Sequence, residues 1–142
     1  MCLVDIPIKT VDEPGQAELQ RLITNLGTWN NTVAPPEEHR KLAVFAYAAD
    51  ELIGGAAGYT HWGWLFVSHL WVQDGSRRAR LGSRLMEQIE AAAVGRGAEM
   101  AHLDTYDFQA RQFYEHIGYE QFAELENYPR GHSRHFLRKP LV

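Results

Sequence analysis

The sequence predicts an α/β fold in which a mixed, mostly antiparallel central sheet of six to seven strands is flanked by helices. Three observations point there. Strand-like segments follow one another from residue 41 to 72 with only short turns between them. The apolar period then changes from two to 3.6 and back, twice over. Between those regimes, the most apolar strand runs through a short basic loop directly into an amphipathic helix.

Taken in order, Met1 to Ile8 holds a short apolar run that reads as an edge strand interrupted by Pro7. From Pro14 to about Thr28, Ala17, Leu19, Leu22, Ile23 and Leu26 recur at helical spacing, and Gly27 is expected to end the helix. Trp29 to Arg40, with Asn30-Asn31 and Pro35-Pro36, reads as a loop or broken helix. Lys41 to Ala49, Leu52 to Thr60 and Trp64 to Val72 form three strands, turning at Asp50-Glu51 and at His61-Trp62-Gly63, and predict an antiparallel meander. Leu81, Leu85, Met86, Ile89, Ala92 and Ala93 then share one face of a helix that stops before Gly95 and Gly97. Glu99 to Thr105 is a further strand, and Gln109 to Ile117 a helix capped by Gly118. Tyr119 to Leu125 and His132 to Arg138 are the last two strands, joined across Asn127 to Gly131.

The 142 residues suit one domain spanning 1–142, with a composition of 45% hydrophobic and 23% charged residues that is ordinary for a globular protein. A formal charge of -4 supplies no general attraction to nucleic acid or to an anionic membrane, so neither is an expected partner. Cys2 is the single cysteine, which excludes an intrachain disulfide and cysteine-cluster zinc sites; no metal is expected. Without an apolar run of membrane-spanning length or a secretory pattern at the start, a cytoplasmic location is the expectation.

The segment Leu70 to Leu85 is the most informative. The first N–H groups of a helix lack internal partners and carry the positive end of its dipole, so a helix opened by Arg77, Arg78, Arg80 and Arg84 suits a phosphate-bearing guest. By charge alone the same arginines describe a solvated helix face, or a small nucleic-acid patch.

In this segment the chain resembles the GNAT superfamily of N-acetyltransferases. That family's signature is a strand ending in Leu-x-Val, then a loop Arg/Gln-x-x-Gly-x-Gly/Ala opening a helix. Leu70-Trp71-Val72 and Arg77-Arg78-Ala79-Arg80-Leu81-Gly82 align with these. The second family motif, Ala-x-x-Phe-Tyr-x-x-x-Gly-Phe/Tyr, is matched at every marked position by Ala110 to Tyr119. The resemblance covers roughly Leu42 onward, and is similar in detail to a bacterial subgroup sharing segments such as Tyr59 to Trp64 and Leu103-Asp104-Thr105.

The resemblance implies acetyl transfer from acetyl-coenzyme A to a primary amine of a small molecule or peptide by direct attack. It implies a coenzyme A site built by Trp71 and Val72, by the loop and helix start at Arg77, Arg78, Ala79, Arg80, Leu81, Gly82 and Ser83, and by Asp107 and Phe113. It makes Tyr114 the acid that protonates the departing thiolate, and gives the amides around Trp71 and Val72 to the oxyanion. Where the family carries a carboxylate or histidine base, this chain has Ser68 and Phe66; Ser68 can order a relay water. Strand alternation turns the adjacent His69 to the opposite face, and His61, His132, Asp104 and Tyr106 are further base candidates. Trp29, Trp62 and Trp64 are candidates for an aromatic wall around the acceptor, or for plain sheet packing.

The chain departs from the motif where Arg78 and Arg80 replace glycines that let the backbone approach a diphosphate. A rival reading follows: a non-catalytic coenzyme A- or ligand-binding module on the same fold. Either reading is compatible with a monomer or a homodimer.

Overall fold

A computed structural model describes residues 5–75 and 80–142. The chain divides into two compact units, Met1–Pro36 and Glu37–Val142.

The first unit holds one helix, α1 (Gln16–Val33). It runs through Gly27 and continues past Trp29, which replaces the expected loop beginning there. The apolar spacing explains this, because Leu22, Leu26, Trp29 and Val33 keep the i, i+3, i+4 rhythm across a glycine that costs only about 1 kcal/mol in a helix. Within that last stretch the Thr28 hydroxyl donates to the Thr24 carbonyl at 3.0 Å. Ile6 to Ile8 are irregular and exposed, so among the described residues the expected first strand is missing. Pro7 has no N–H to give a ladder.

The second unit carries six strands: β1 (Arg40–Ala48), β2 (Glu51–His61), β3 (Trp64–Val72), β4 (Met100–Tyr106), β5 (Glu120–Glu126) and β6 (Ser133–Pro140). They form one sheet in the order β1-β2-β3-β4-β6-β5. Every neighbouring pair is antiparallel except β3 and β4, which are parallel. That exception follows from the crossover between them, helix α2 (Leu81–Gly95), since a parallel pair needs a long connection and a hairpin cannot supply it. Helix α3 (Arg111–His116) joins β4 to β5.

The core lies between α2 and one face of the sheet. Leu81, Leu85, Met86, Ile89 and Ala93 of α2 are buried against Leu65, Val67, Ala101, Leu103 and Leu137. Ile89 is fully buried, and a side chain of its size stabilises by about 1.5–3 kcal/mol through removal from water. Two polar links fix the helix at its C-terminal end and its middle. Arg96 donates through Nη1 to the carbonyls of Arg40 and Lys41, at 3.2 and 3.0 Å. The buried Glu90 accepts from the Tyr119 hydroxyl and from Lys139 Nζ, each at 2.8 Å. Burial and the neighbouring Glu90 charge both raise the Tyr119 pKa, so the phenol stays a donor to that carboxylate.

Candidate active site

Strands β3 and β4 run together only partway. They pair from Trp64 and Met100 to Val67 and Leu103, and there the ladder ends, although both strands continue. The cause is a bulge on β3: Gly58 of β2 faces Val67, Ala57 faces His69, and Ser68 is the extra residue between them. Gly58 is required for it, because a Cβ at that position would sit 1.8 Å from the carbonyl oxygen of Phe66. A bulge bends its strand and increases its twist, which carries the rest of β3 away from β4. A cleft therefore opens, with Ser68 to Val72 on one side and Asp104 to Tyr106 on the other.

The bulge also shifts which residues face α2. Before it, Leu65 and Val67 are buried; after it, Leu70 and Val72 pack toward the core, while Ser68 and His69 are both exposed. Gln73 N–H donates to the Ile53 carbonyl at 2.8 Å. Because ladder bonds alternate in an antiparallel pair, Trp71 N–H also faces β2, while those of Leu70 and Val72 point away from it, into the cleft. The expected Val72 donor is thus directed at the cleft, and Leu70 takes the place expected for Trp71.

Just beyond Val72 the chain opens α2. Ser76, Arg77, Arg78 and Ala79, the first half of the expected loop, lie outside the described residues. Arg80 is the N-cap residue of α2 and lies at φ 54°, ψ 33°, in the left-handed region that favours glycine. An arginine there costs about 1–2 kcal/mol relative to ordinary helical dihedrals. The departure from the family motif has therefore changed the side chain and kept the glycine-like backbone. Among the described residues no side-chain cap hydrogen bond closes this helix end, so its first N–H groups keep their capacity for an anion. Gly82 lies where a Cβ would stand 3.3 Å from the Phe113 ring, so α3 packs closely on the start of α2. A groove of about 480 Å³ runs along this side, lined by Arg80, Ser83, Arg84, Glu87, Ile117 and Lys139 among others.

Tyr114, next to Phe113, is partly buried between the rings of Phe113 and Tyr119, at centroid distances of 5.2 and 6.0 Å. Burial, with the Asp104 charge adding to it, pushes its phenol up to about 12, so it is protonated throughout the neutral range. Asp104 points from the exposed side of β4 and is held by Arg134, whose Nε and Nη2 lie 2.8 and 2.7 Å from the same carboxylate oxygen. The Arg134 guanidinium in turn lies over the rings of Tyr106, Tyr128 and Phe136. Asp107 accepts from His132 Nδ1 at 2.8 Å and from Ser133 N–H at 3.1 Å. Desolvation works to raise this carboxyl, but the two hydrogen bonds outweigh it and its pKa is lowered. These bonds join the end of β4 to β6, so Asp107 serves the frame of the cleft.

One expectation needs correction. His69 was expected on the opposite face from Ser68, but its Nδ1 lies 2.9 Å from Ser68 Oγ, because the bulge brings two successive side chains to one side. Trp62 and Trp64 lie at the β2–β3 turn, where β3 and β4 are still fully paired. Trp64 is about 13 Å along the strand from Ser68, and its ring packs on His102. Trp64 is thereby packed within the sheet, at the end where β3 and β4 pair. Trp29 lies on α1 in the first unit. Beside the cleft stands a second aromatic group, Tyr106, Phe108 and Tyr128, stacked at 5.2 and 5.9 Å around Tyr106. Composition around residues 106–108 and 128 gave no periodic signal for it, since the three rings come together only when the β5–β6 connection folds back on β4.

Among the described residues no helix is long and apolar enough to cross a membrane, and no cluster of metal-ligating side chains occurs. Comparison with known proteins agrees with this geometry. Residues 9–119 match the acetyltransferase (GNAT) family. The chain is 44% identical over 112 residues to the blasticidin-S acetyltransferase of Streptomyces morookaense, covering 75% of this chain and 82% of that one. It is 31% identical over 90 residues to an acetyltransferase of Agrobacterium fabrum, covering 63% and 66% respectively. A crystal structure of an acetyltransferase from Bacillus cereus superposes with a TM-score of 0.83 at 26% identity, over 93% of this chain and 97% of the other. In fold and in sequence the chain thus belongs to the GNAT acetyltransferase family, as an acetyl-coenzyme A-dependent N-acetyltransferase.

Proposed function

We propose that this acetyltransferase modifies a primary amine of a small antibiotic-like molecule, with the β3–β4 cleft as the place of transfer. The observation that carries the site is the end of the parallel ladder at Val67, next to a helix terminus whose N-cap side chain makes no capping bond. Beyond Val67 the splayed part of β3 has no ladder partner on its β4 side among the described residues, and an extended amide-bearing arm can pair there. The diphosphate of acetyl-coenzyme A then falls at the start of α2, where the N–H groups of Leu81, Gly82 and Ser83 and the Arg80 and Arg84 guanidiniums favour it. The groove beyond, lined by Arg80, Arg84 and Lys139, suits the rest of the nucleotide.

In this reading the acceptor nitrogen attacks the thioester carbonyl from the face of the sheet opposite α2. The oxyanion that develops is met by Leu70 or Val72 N–H, a type of donor worth about 2.7–4 kcal/mol in a transition state. As the C–S bond breaks, the Tyr114 hydroxyl gives its proton to the thiolate sulfur. A phenol shifted upward to about 12 is in the donating form across the neutral range.

The acceptor class rests on the similarity to the blasticidin-S acetyltransferase. The Tyr106, Phe108 and Tyr128 stack supports it, because Phe108 and Tyr128 are 56% and 44% exposed and offer flat surfaces to a planar ring. Calorimetry with acetyl-coenzyme A, followed by thiol release with blasticidin S and a panel of primary amines, tests the proposal. Binding with amine-dependent release is expected. Binding without release across the panel would instead favour a module that holds coenzyme A without catalysis, and absence of binding would remove both readings.

A further inference from the structure

Near the exposed side of the cleft, three of the described groups that could take the amine's proton are engaged elsewhere. Asp104 gives one oxygen to two nitrogens of Arg134. His102 lies opposite Phe66 in the paired part of the sheet, its ring packed on Phe66 at 4.9 Å and Trp64 at 5.6 Å. His132 is tied through Nδ1 to Asp107, past the end of β4. His69 is exposed and sits on the bulge, at the level where β4 departs.

The hydrogen bonds around His69 determine which of its nitrogens carries the proton. Ser68 Oγ donates its one hydrogen to the Ala57 carbonyl at 3.0 Å, an acceptor that cannot donate back. The contact of 2.9 Å between Ser68 Oγ and His69 Nδ1 can then be a hydrogen bond only if Nδ1 holds the hydrogen. In a neutral imidazole this leaves the lone pair on Nε2. From a backbone carbonyl, through one hydroxyl, the bulge thus selects a tautomer with a free acceptor nitrogen.

We propose that His69 is the general base of this enzyme, with Ser68 as the residue that positions it. The proposal rests on the reading that acetyl transfer occurs at the β3–β4 cleft. As the amine nitrogen forms its bond to the acetyl carbon, His69 Nε2 takes one proton from that nitrogen. The C–S bond then breaks, the thiolate takes a proton from the Tyr114 hydroxyl, and the products are the N-acetylated amine and coenzyme A. His69 returns its proton to water and Tyr114 regains one, so both groups are restored. The bulge that ends the β3–β4 ladder is the same feature that sets His69 beside Ser68.

The test uses the wild-type protein, His69→Asn and Ser68→Ala, with thiol release measured on blasticidin S and then on a panel of primary amines. Asparagine keeps an N–H donor near the Nδ1 position and removes the base. The expected result is a loss of about 100-fold in kcat for His69→Asn, with acetyl-coenzyme A affinity and Tm unchanged. Ser68→Ala should lower kcat several-fold while leaving both KM values in place. Turnover within threefold of wild type in His69→Asn overturns the base assignment and leaves the transfer reading intact. A wild-type protein that binds acetyl-coenzyme A but acetylates nothing in the panel overturns both. Nitrogen-15 shifts of the wild-type His69 ring provide a check that needs no variant: the Nδ1–H form is expected, and a dominant Nε2–H form overturns the proposal.

Discussion

Strand β3 is two strands in physical terms. Its first part, Trp64 to Val67, is hydrogen-bonded on both sides and alternates cleanly between the core and the aromatic face. Its second part, Ser68 to Val72, is paired on one side only, with its other edge turned to the cleft. The first part obeys every rule that makes a sheet stable. The second breaks one rule, the satisfaction of backbone groups within the fold, and gains the capacity to pair with something that is not protein. Sheet edges are normally protected; here an edge has been made in the interior of a sheet, where neighbouring strands shield it from other chains. One extra residue separates the two regimes.

The strongest way to break this comparison is to remove the bulge. Gly58→Ala places a Cβ 1.8 Å from the Phe66 carbonyl oxygen, a backbone atom that cannot move without moving the strand. We expect a stability loss of about 3 kcal/mol, read as a lower Tm, and acetyl transfer abolished along with it. A variant with wild-type Tm and turnover would mean that the divergence of β3 from β4 does not depend on this contact.

Replacing Tyr114 by Phe tests the chemistry of the open part while sparing the closed part. The ring packing between Phe113 and Tyr119 is retained, so acetyl-coenzyme A affinity should hold while kcat falls about 100-fold. The sign of the pH effect follows from its raised pKa. With a pKa of about 12 the phenol loses its proton only in strong alkali, so donation persists across neutral and moderately alkaline pH. An alkaline fall in kcat near neutrality that disappears in Tyr114→Phe would contradict this.

The wall facing β3 is held by Arg134. Arg134→Gln removes both contacts to Asp104 and the cation over three rings, with an expected cost of about 2 kcal/mol. Acceptor KM should rise more than that of acetyl-coenzyme A, since Tyr106 and Tyr128 lose the cation that both rings lie against. A smaller effect is expected at the helix start. Arg84→Ala should weaken acetyl-coenzyme A binding about fivefold, on the order of 1 kcal/mol, and calorimetry at two salt concentrations should show the difference shrinking as salt rises.

Much of this arrangement was legible in the amino-acid order. The three central strands, α2 and the last hairpin follow from period and turn residues, because each element buries one face and so must repeat apolar residues at its own spacing. The coenzyme A end of the site, as proposed, was suggested by the loop and the Phe113-Tyr114 motif. The bulge was not read, although Ser68-His69 interrupts an apolar strand with two successive polar residues opposite a glycine-rich partner, which is the local sign of one. Missing it put His69 on the wrong face. The acceptor side is harder to read for a different reason. Trp62 and Trp64 attract attention as large aromatics near a turn, but a turn can lie at either end of a sheet, and only strand pairing tells which end is open.

That last point yields the mildest and most discriminating prediction. Trp62 is 42% exposed at the closed end of β3, beside His61 and beyond the stretch where β3 and β4 are fully paired. If catalysis is confined to the splayed end, Trp62→Ala should change acceptor KM less than twofold and stability by no more than about 1 kcal/mol, the scale of a partly exposed side chain. Tyr128→Ala, at the open end, should raise acceptor KM several-fold with little change in acetyl-coenzyme A affinity. Measured side by side on the same acceptor, the two variants separate the ends of the molecule. A larger KM effect at Trp62 than at Tyr128 would mean that the acceptor reaches the paired end of the sheet, and that the bulge marks where the cofactor sits without marking where the amine enters.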